Sequence, residues 1–391
     1  MSRMTRRRAL LTAGTAGFTT FAGYRFLSDD GCPTLDESLW TIDGRYWSPP
    51  VKHGGKILAS EHYTGMGDRI LSRIICADSY DGQEQWVYTV KGSGAGIPLV
   101  HDDTVYVGTG TDHVYALDFE TGHRKWDYDA GGLEEFGGGA WGQPAVIDDS
   151  VFVGISHSEL STPDVTDSST YTHRVVALDT SDGTERWANR VSGTSFAGPA
   201  RFGTSVVAGT ESGHVYRFDA VTGESLWSTS IPGEVRSTPI VGNGVVYVTT
   251  LEGAIVSLDA ESAQKEWQVD ASGAIVDVVD TGDSLLVGDR TGAVTAVAKS
   301  DGTEQWQYTA EEAVAAIDVS TDVWILDQRG TVHRLDTATG ETTHRYYVAE
   351  SNVENQCGWS PRSDVGSGII ADEYNIYVTG PWVGRVSARI E

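Results

Sequence analysis

The sequence predicts an all-β fold, an eight-bladed β-propeller of four-stranded antiparallel blades, with seven blades as the alternative. Three observations predict it. One frame recurs along the 391 residues: ALDFETGHRKW at 116–126, ALDTSDGTERW at 177–187, RFDAVTGESLW at 217–227 and SLDAESAQKEW at 257–267. The tryptophans in frame, Trp86, Trp126, Trp187, Trp227, Trp267 and Trp306, stand 40, 61, 40, 40 and 39 residues apart. Between them run short β-branched or aromatic stretches broken by turn clusters, four per period, the length of one propeller blade.

In chain order, residues 1–27 read as a targeting signal. Arg6, Arg7 and Arg8 precede a mild apolar stretch from Ala9 to Gly23, shorter than the ~20 residues a membrane-spanning helix needs. Paired arginines before such a stretch resemble a twin-arginine export signal. The chain is therefore expected to be exported, extracellular or attached to the cell surface. Residues 28–37 form a short linker, and the propeller takes up 38–391. ESLWTID (37–43) is an orphan strand bearing Trp40, with no partner before it.

One unit, 97–126, shows how the rest is built. IPLV, TVYVGT, HVYALD and HRKW are the strands, separated by HDD, GTD and FETG. Asp118 ends the third strand, where its carboxylate accepts turn amides. Gly122 supplies the left-handed backbone of a bulged hairpin. Trp126 falls on the outermost strand, a flat ring that fills the wedge between neighbouring blades. The motif is thus accounted for without a substrate. Trp40, Trp86, Trp126, Trp187, Trp227, Trp267 and Trp306 are read as structural, with His344 in the eighth slot. The last three strands lack a Trp-bearing partner, so the strand around Trp40 is expected to complete their blade and hide both terminal edges.

The frame A-x-D-x-x-T-G-x-x-x-W resembles the tryptophan-docking repeat of pyrroloquinoline-quinone (PQQ) propellers, over roughly residues 38–391. That group holds quinoprotein alcohol dehydrogenases and the BamB type of outer-membrane assembly factor. The resemblance implies the fold strongly and the function weakly, because enzymes and scaffolds share it.

Composition narrows the partners. With 28 basic and 55 acidic residues the chain carries −27, and loss of residues 1–27, with five arginines and no acid, deepens that by five. So acidic a surface repels nucleic acid and anionic lipid. With only six lysines, it suits a salt-loving, haloarchaeal type of source. A monomer is expected. The three cysteines, Cys32, Cys76 and Cys357, show no metal-ligand spacing. Two readings of Cys32 stand side by side: lipid attachment, and a disulfide with Cys357 that staples the closing seam. Cys76 is expected to be a small core residue.

The irregular segments all fall on one face, shared by the inter-blade connections and the turns between second and third strands. They are 62–68, 127–141, 156–173 and 348–361. Loops on a rigid scaffold carry function more often than the scaffold does, so this face is the candidate site. Its residues are Glu134, Glu135 and Phe136 of the 127–141 segment, with Trp47, Trp141, Gln143, Phe196, Arg236, Trp359 and Arg362 where inner strands begin. These last either line a ligand-binding channel mouth or plug the channel.

Enzymes of the resembled group hold the quinone between a Trp floor and a disulfide of adjacent cysteines, with calcium on acidic ligands. No two cysteines are adjacent here, and Glu134, Glu135 and Asp364 do not match the calcium ligands one by one. The sequence therefore points to a non-catalytic, exported scaffold without a cofactor or a metal. It binds a protein, or else a glycan, on its loop-rich face, with envelope protein assembly as the role that the resemblance suggests. The competing reading is a dehydrogenase dependent on PQQ with calcium, or on another small ligand.

Overall fold

The first strand belongs with the last three. The computed structural model describes residues 38–43, 47–61, 71–91, 94–131, 139–140, 142–158, 171–194, 197–347, 368–371, 375–379 and 382–387. Strand β1 (Ser38–Asp43) opens the chain. Blade 1 is β2 (Val51–His53), β3 (Lys56–Glu61), β4 (Leu71–Asp78) and β5 (Glu84–Lys91). Blade 2 is β6 (Leu99–His101), β7 (Thr104–Gly108), β8 (His113–Asp118) and β9 (Arg124–Asp129). Blade 3 is β10 (Ala145–Ile147), β11 (Ser150–Ser158), β12 (Tyr171–Asp179) and β13 (Glu185–Arg190). Blade 4 is β14 (Ala200–Phe202), β15 (Ser205–Gly209), β16 (His214–Asp219) and β17 (Ser225–Ser230). Blade 5 is β18 (Ile240–Gly242), β19 (Val245–Thr249), β20 (Ala254–Asp259) and β21 (Lys265–Asp270). Blade 6 is β22 (Ile275–Asp280), β23 (Ser284–Asp289), β24 (Ala293–Ala298) and β25 (Glu304–Thr309). Blade 7 is β26 (Val314–Val319), β27 (Val323–Asp327), β28 (Thr331–Leu335) and β29 (Thr342–Tyr347).

The remaining strands, β30 (Gly368–Ala371), β31 (Asn375–Thr379) and β32 (Trp382–Ser387), form an antiparallel sheet whose outer position is taken by β1, in the order β1-β32-β31-β30. The eight blades expected from the sequence are thereby corrected to seven. Seven blades are each complete in four consecutive strands; the eighth four-stranded sheet is a composite of the two chain ends.

Burial follows the sequence pattern. The second strands, such as TVYVG and SVVAG, are buried at every residue, and so read as unbroken apolar runs. The outer strands alternate; EQWQYT (β25) buries Trp306 while its charged and amide neighbours face water. Each core cluster spans two neighbouring sheets: Trp126 and Tyr106 of blade 2 join Val151, Val153 and Val176 of blade 3.

The outer hairpin repeats the same bulge. Ala116 faces Trp126 and Leu117 faces Arg124, so Lys125 is the extra residue, and the same shift occurs at Ala177/Leu178 and Ala296/Val297. Cys76 holds the small-residue position opposite Trp86, buried, its thiol pushed up to about 12 by that burial. Each Trp bonds forward to the next sheet. Trp86 Nε1 donates to the Phe119 carbonyl at 2.9 Å, Trp126 to Thr180 at 2.8 Å, and Trp227 to Ala260 at 2.8 Å. Trp40 closes the ring by donating to the Ser79 carbonyl of blade 1 at 3.2 Å.

Blade 5 breaks the turn pattern. Ala263 stands where the glycine belongs and holds φ +58°, a conformation that crowds Cβ against the carbonyl. Ala263→Gly is expected to raise stability by about 0.5–1 kcal/mol, the relief of strain less the entropy of the freer unfolded chain. A lower urea midpoint for this variant would show that the turn is not strained.

The turn aspartates make stability depend on acid. Asp118 accepts Thr121 N–H at 2.9 Å and Thr121 Oγ1–H at 2.7 Å, and Asp219, Asp259 and Asp336 do the same in their blades. Hydrogen bonds to the turn Thr or Ser hold all four carboxyls below the usual aspartate range. A pKa lowered by folding stabilises above the unfolded value and is lost as pH falls through the folded one. The urea midpoint is therefore expected to drop below about pH 4, the unfolded aspartate range, and less steeply in Asp118→Asn. Equal slopes in the two proteins would contradict this.

On one side of the ring, carboxylates tie inner strands together. Asp277 of β22 accepts the Ile317 N–H of β26 at 2.8 Å, and Asp318 of β26 accepts the Ala371 N–H of β30 at 2.7 Å. Burial raises both carboxyls, Asp277 to about 6.

Candidate functional site

In an up-and-down blade, the first-to-second and third-to-fourth turns share one face, and the second-to-third turns and inter-blade segments share the other. The recurring DxxTG-type turns make the first face regular. On the second face, the inter-blade segments are tied down by backbone bonds. Trp47, Ala95, Gly139 and Val235 bridge Glu61, Thr109, Ser156 and Thr250 at the ends of the second strands. Gly96 N–H donates to Gly108 at 2.8 Å, and Leu251 N–H donates to Glu234 at 2.8 Å. A frame fixed in this way presents its side chains at set positions.

Trp47 is 1% exposed and packs with Trp40, Ile57, Ile75 and Tyr377 between the closing sheet and blade 1. Its ring therefore fills the seam rather than lining a channel mouth. The Arg73 guanidinium sits 6.0 Å from that ring, and its Nε donates to the buried Glu61 carboxylate at 2.5 Å. Gln143 donates from Nε2 to the Pro98 carbonyl at 2.9 Å, linking the segments that enter blades 2 and 3. Both residues act in the architecture.

Arg236 is different. Its side chain is 50% exposed, with Nη2 2.7 Å from Glu211 and Nε 2.9 Å from Glu234. Glu252 accepts the Glu234 N–H at 2.7 Å. Burial raises the Glu211 carboxyl, opposed by Arg236 and reinforced by Glu234. This patch at the blade 4–blade 5 junction is a guanidinium clamped between carboxylates. Glu211 and Glu252 were legible only by aligning the second-to-third turns, TESG and TLEG, where both follow a buried threonine.

A second polar group lies at the blade 6–blade 7 junction. His333 sits 3.2 Å from Asp327 through Nε2 and 2.9 Å from the Tyr308 hydroxyl through Nδ1, with His333 and Asp327 both buried. Asp327 Oδ1 accepts Arg329 and Thr331 N–H at 2.9 and 2.8 Å. Nε2–H therefore points at the carboxylate, leaving Nδ1 to accept from Tyr308. Among these three side chains each hydrogen-bonding need is met.

Glu134, Glu135, Phe136, Trp141, Phe196, Trp359 and Arg362 lie outside the described residues, as do Cys32 and Cys357. The expected 156–173 insertion is shorter than the sequence suggested, because Ser156–Ser158 pair with Tyr171–His173 as a continuation of the β11–β12 hairpin. Among the described residues the cysteine is Cys76, buried mid-strand opposite Trp86. Among the described residues no helix is long and apolar enough to cross a membrane.

The model of the family described as outer membrane protein assembly factor BamB matches residues 34–171, 171–278 and 270–373. No curated protein matches the chain. Among solved structures, BamB from Moraxella catarrhalis is similar with a TM-score of 0.62 and 16% identity, covering 96% of this chain and 99% of that one. The computationally designed Ika8 protein is similar with a TM-score of 0.65 and 14% identity, covering 90% of this chain and 98% of its own. At these identities the two likenesses show the fold alone.

Proposed function

Because the chain belongs to the family of the outer membrane protein assembly factor BamB, we propose that it is an exported, non-catalytic scaffold. It binds a protein partner on its loop-rich face and takes part in envelope protein assembly. The observation that carries this reading is the family match, which runs through every blade. The contrast between the two faces supports it: one is a ring of near-identical turns, the other gathers the irregular segments and the Arg236 patch. Export rests on Arg6, Arg7 and Arg8 ahead of their apolar stretch.

Cross-linking the protein in its own cells and comparing variants tests the proposal. Arg236→Glu is expected to lower partner capture at least several-fold, since a charge reversed beside Glu211 and Glu234 alters steering and register. Glu224→Lys, on the opposite face, is expected to leave capture unchanged. Equal loss in both variants would refute the assignment of the face. Calcium-dependent binding of PQQ with dye reduction would overturn the scaffold reading.

A further inference from the structure

In blades 4, 5 and 6 the second-to-third turn ends on a residue whose carbonyl is bonded by the inter-blade segment. Ile231 donates to Gly213, Ala271 to Gly253 and Ala310 to Gly292, each at 2.8 Å. Those acceptors are left-handed glycines, with φ +73°, +103° and +89°. In blade 2 the same place is taken by Asp112, at φ +62°, and Ala130 N–H reaches its carbonyl at 3.1 Å. A Cβ at Gly213 would come within 2.6 Å of the Ile231 carbonyl oxygen, and one at Gly292 within 2.6 Å of that of Glu312. A side chain at this position thus projects into the carbonyls of the inter-blade segment. The segment after β9 gives way: it turns left-handed at Gly131, two residues beyond the strand, whereas blades 3 and 4 turn at Gly193 and Gly233, three residues beyond.

The carboxyl placed there is 1% exposed, and its Oδ1 has no hydrogen-bond partner. Asp129, at the end of β9, faces it with like charge; Arg174, at the start of β12, faces it with opposite charge. Arg174 Nη2 donates to the Ala130 carbonyl at 3.2 Å, while its buried Nε–H has no acceptor. Around them stand His113 and Asp127, 3.8 Å apart, and Tyr128, whose hydroxyl donates to Glu185 at 2.5 Å. His173 completes the approach from β12 through its contact with Ser156.

We propose that Asp112 and Arg174 form a proton-operated latch on the inter-blade segment at the blade 2–blade 3 junction. With the acid protonated, Asp112 buries a neutral carboxyl, and Arg174 Nη2 holds the Ala130 carbonyl. With the acid ionised, a buried carboxylate faces Asp129 with like charge and Arg174 with opposite charge. Arg174 then has a charged acceptor for its unused Nε–H and lets go of Ala130. The segment that opens is Ala130–Gly131, directly after β9. Burial, then Asp129, raise the Asp112 carboxyl to about 7 against the pull of Arg174, which puts the change near neutrality. Protons are bound more tightly in the latched state, so the latch holds below that pH and is released above it. The device does not depend on any partner.

Hydrogen exchange of the full-length protein between pH 6 and 8, expressed as protection factors, tests it. The Ala130 amide is expected to lose at least tenfold in protection across that range, while the equivalent Ile231 amide, facing Gly213, stays level. Asp112→Asn, which always carries a donor, and Asp112→Gly, which matches the other blades, are each expected to abolish the pH dependence. Retained protection at Ile231 reports that either variant is folded. A pH-independent Ala130 amide in the unaltered protein, or an undiminished dependence in Asp112→Asn, would overturn the latch.

Discussion

Trp40→Ala is expected to cost about 3–5 kcal/mol, the range for a large buried ring that leaves a cavity behind. Trp40 is 1% exposed and lies over the Gly82 turn of blade 1, 6.3 Å from the Tyr377 ring. Its Nε1–H donates to the Ser79 carbonyl, which also accepts from the Tyr377 hydroxyl at 3.3 Å. The substitution removes the ring that joins the composite sheet to blade 1 and weakens the one closure made from distant parts of the chain. Trp227→Ala is the comparison, since that ring is only partly buried and its loss is expected to cost about half as much or less. Urea unfolding of both variants measures the difference. Equal midpoints would mean that the seam is no more critical than an ordinary junction.

Gly122→Val is expected to destabilise by about 3–5 kcal/mol, from two separate causes. The backbone there has φ +68°, and a β-branched residue in that region costs roughly 1–3 kcal/mol. A Cβ would also come within 2.6 Å of the Trp86 ring, and displacing a packed ring costs about another 1–3 kcal/mol. Gly122→Ala is expected to fall between the two proteins, and the urea midpoints of the three give the order. If Gly122→Val in the Trp86→Ala background cost as much as it does alone, the contact with the ring would contribute nothing. A coupling of 1 kcal/mol or more is the expected outcome.

That coupling shows what the repeat motif meant. In the sequence Gly122 and Trp126 stand four residues apart and look like partners. In the structure Gly122 lies under Trp86 of the preceding blade, and Trp126 lies over Gly183 of the next. Periodicity gave the strands, the bulged turn and the face that bears irregular segments, because all three are local. The pairing of motif residues across blades is not local, and no spacing within one unit reveals it.

The candidate site was legible to a similar depth. The choice of face followed from up-and-down connectivity alone. In the sequence Trp47 could either line a channel mouth or plug the channel; the composite sheet buries it against Trp40 and Tyr377. Glu211, Glu234 and Glu252 are three among 55 acids until folding brings them around Arg236. Asp112 looked like one more turn residue; only alignment of the turns in space shows it in a glycine's place, with a buried carboxyl whose Oδ1 has no hydrogen-bond partner.

By itself the sequence determined the strands, their order and the turns within each unit, since hydrophobic alternation and turn chemistry act over a few residues. Tertiary structure alone decided the rest: which ring covers which turn, how the two chain ends complete one sheet, and which charges are taken out of water. Those outcomes depend on residues tens to hundreds of positions apart, and the energy of burial is settled only when they meet.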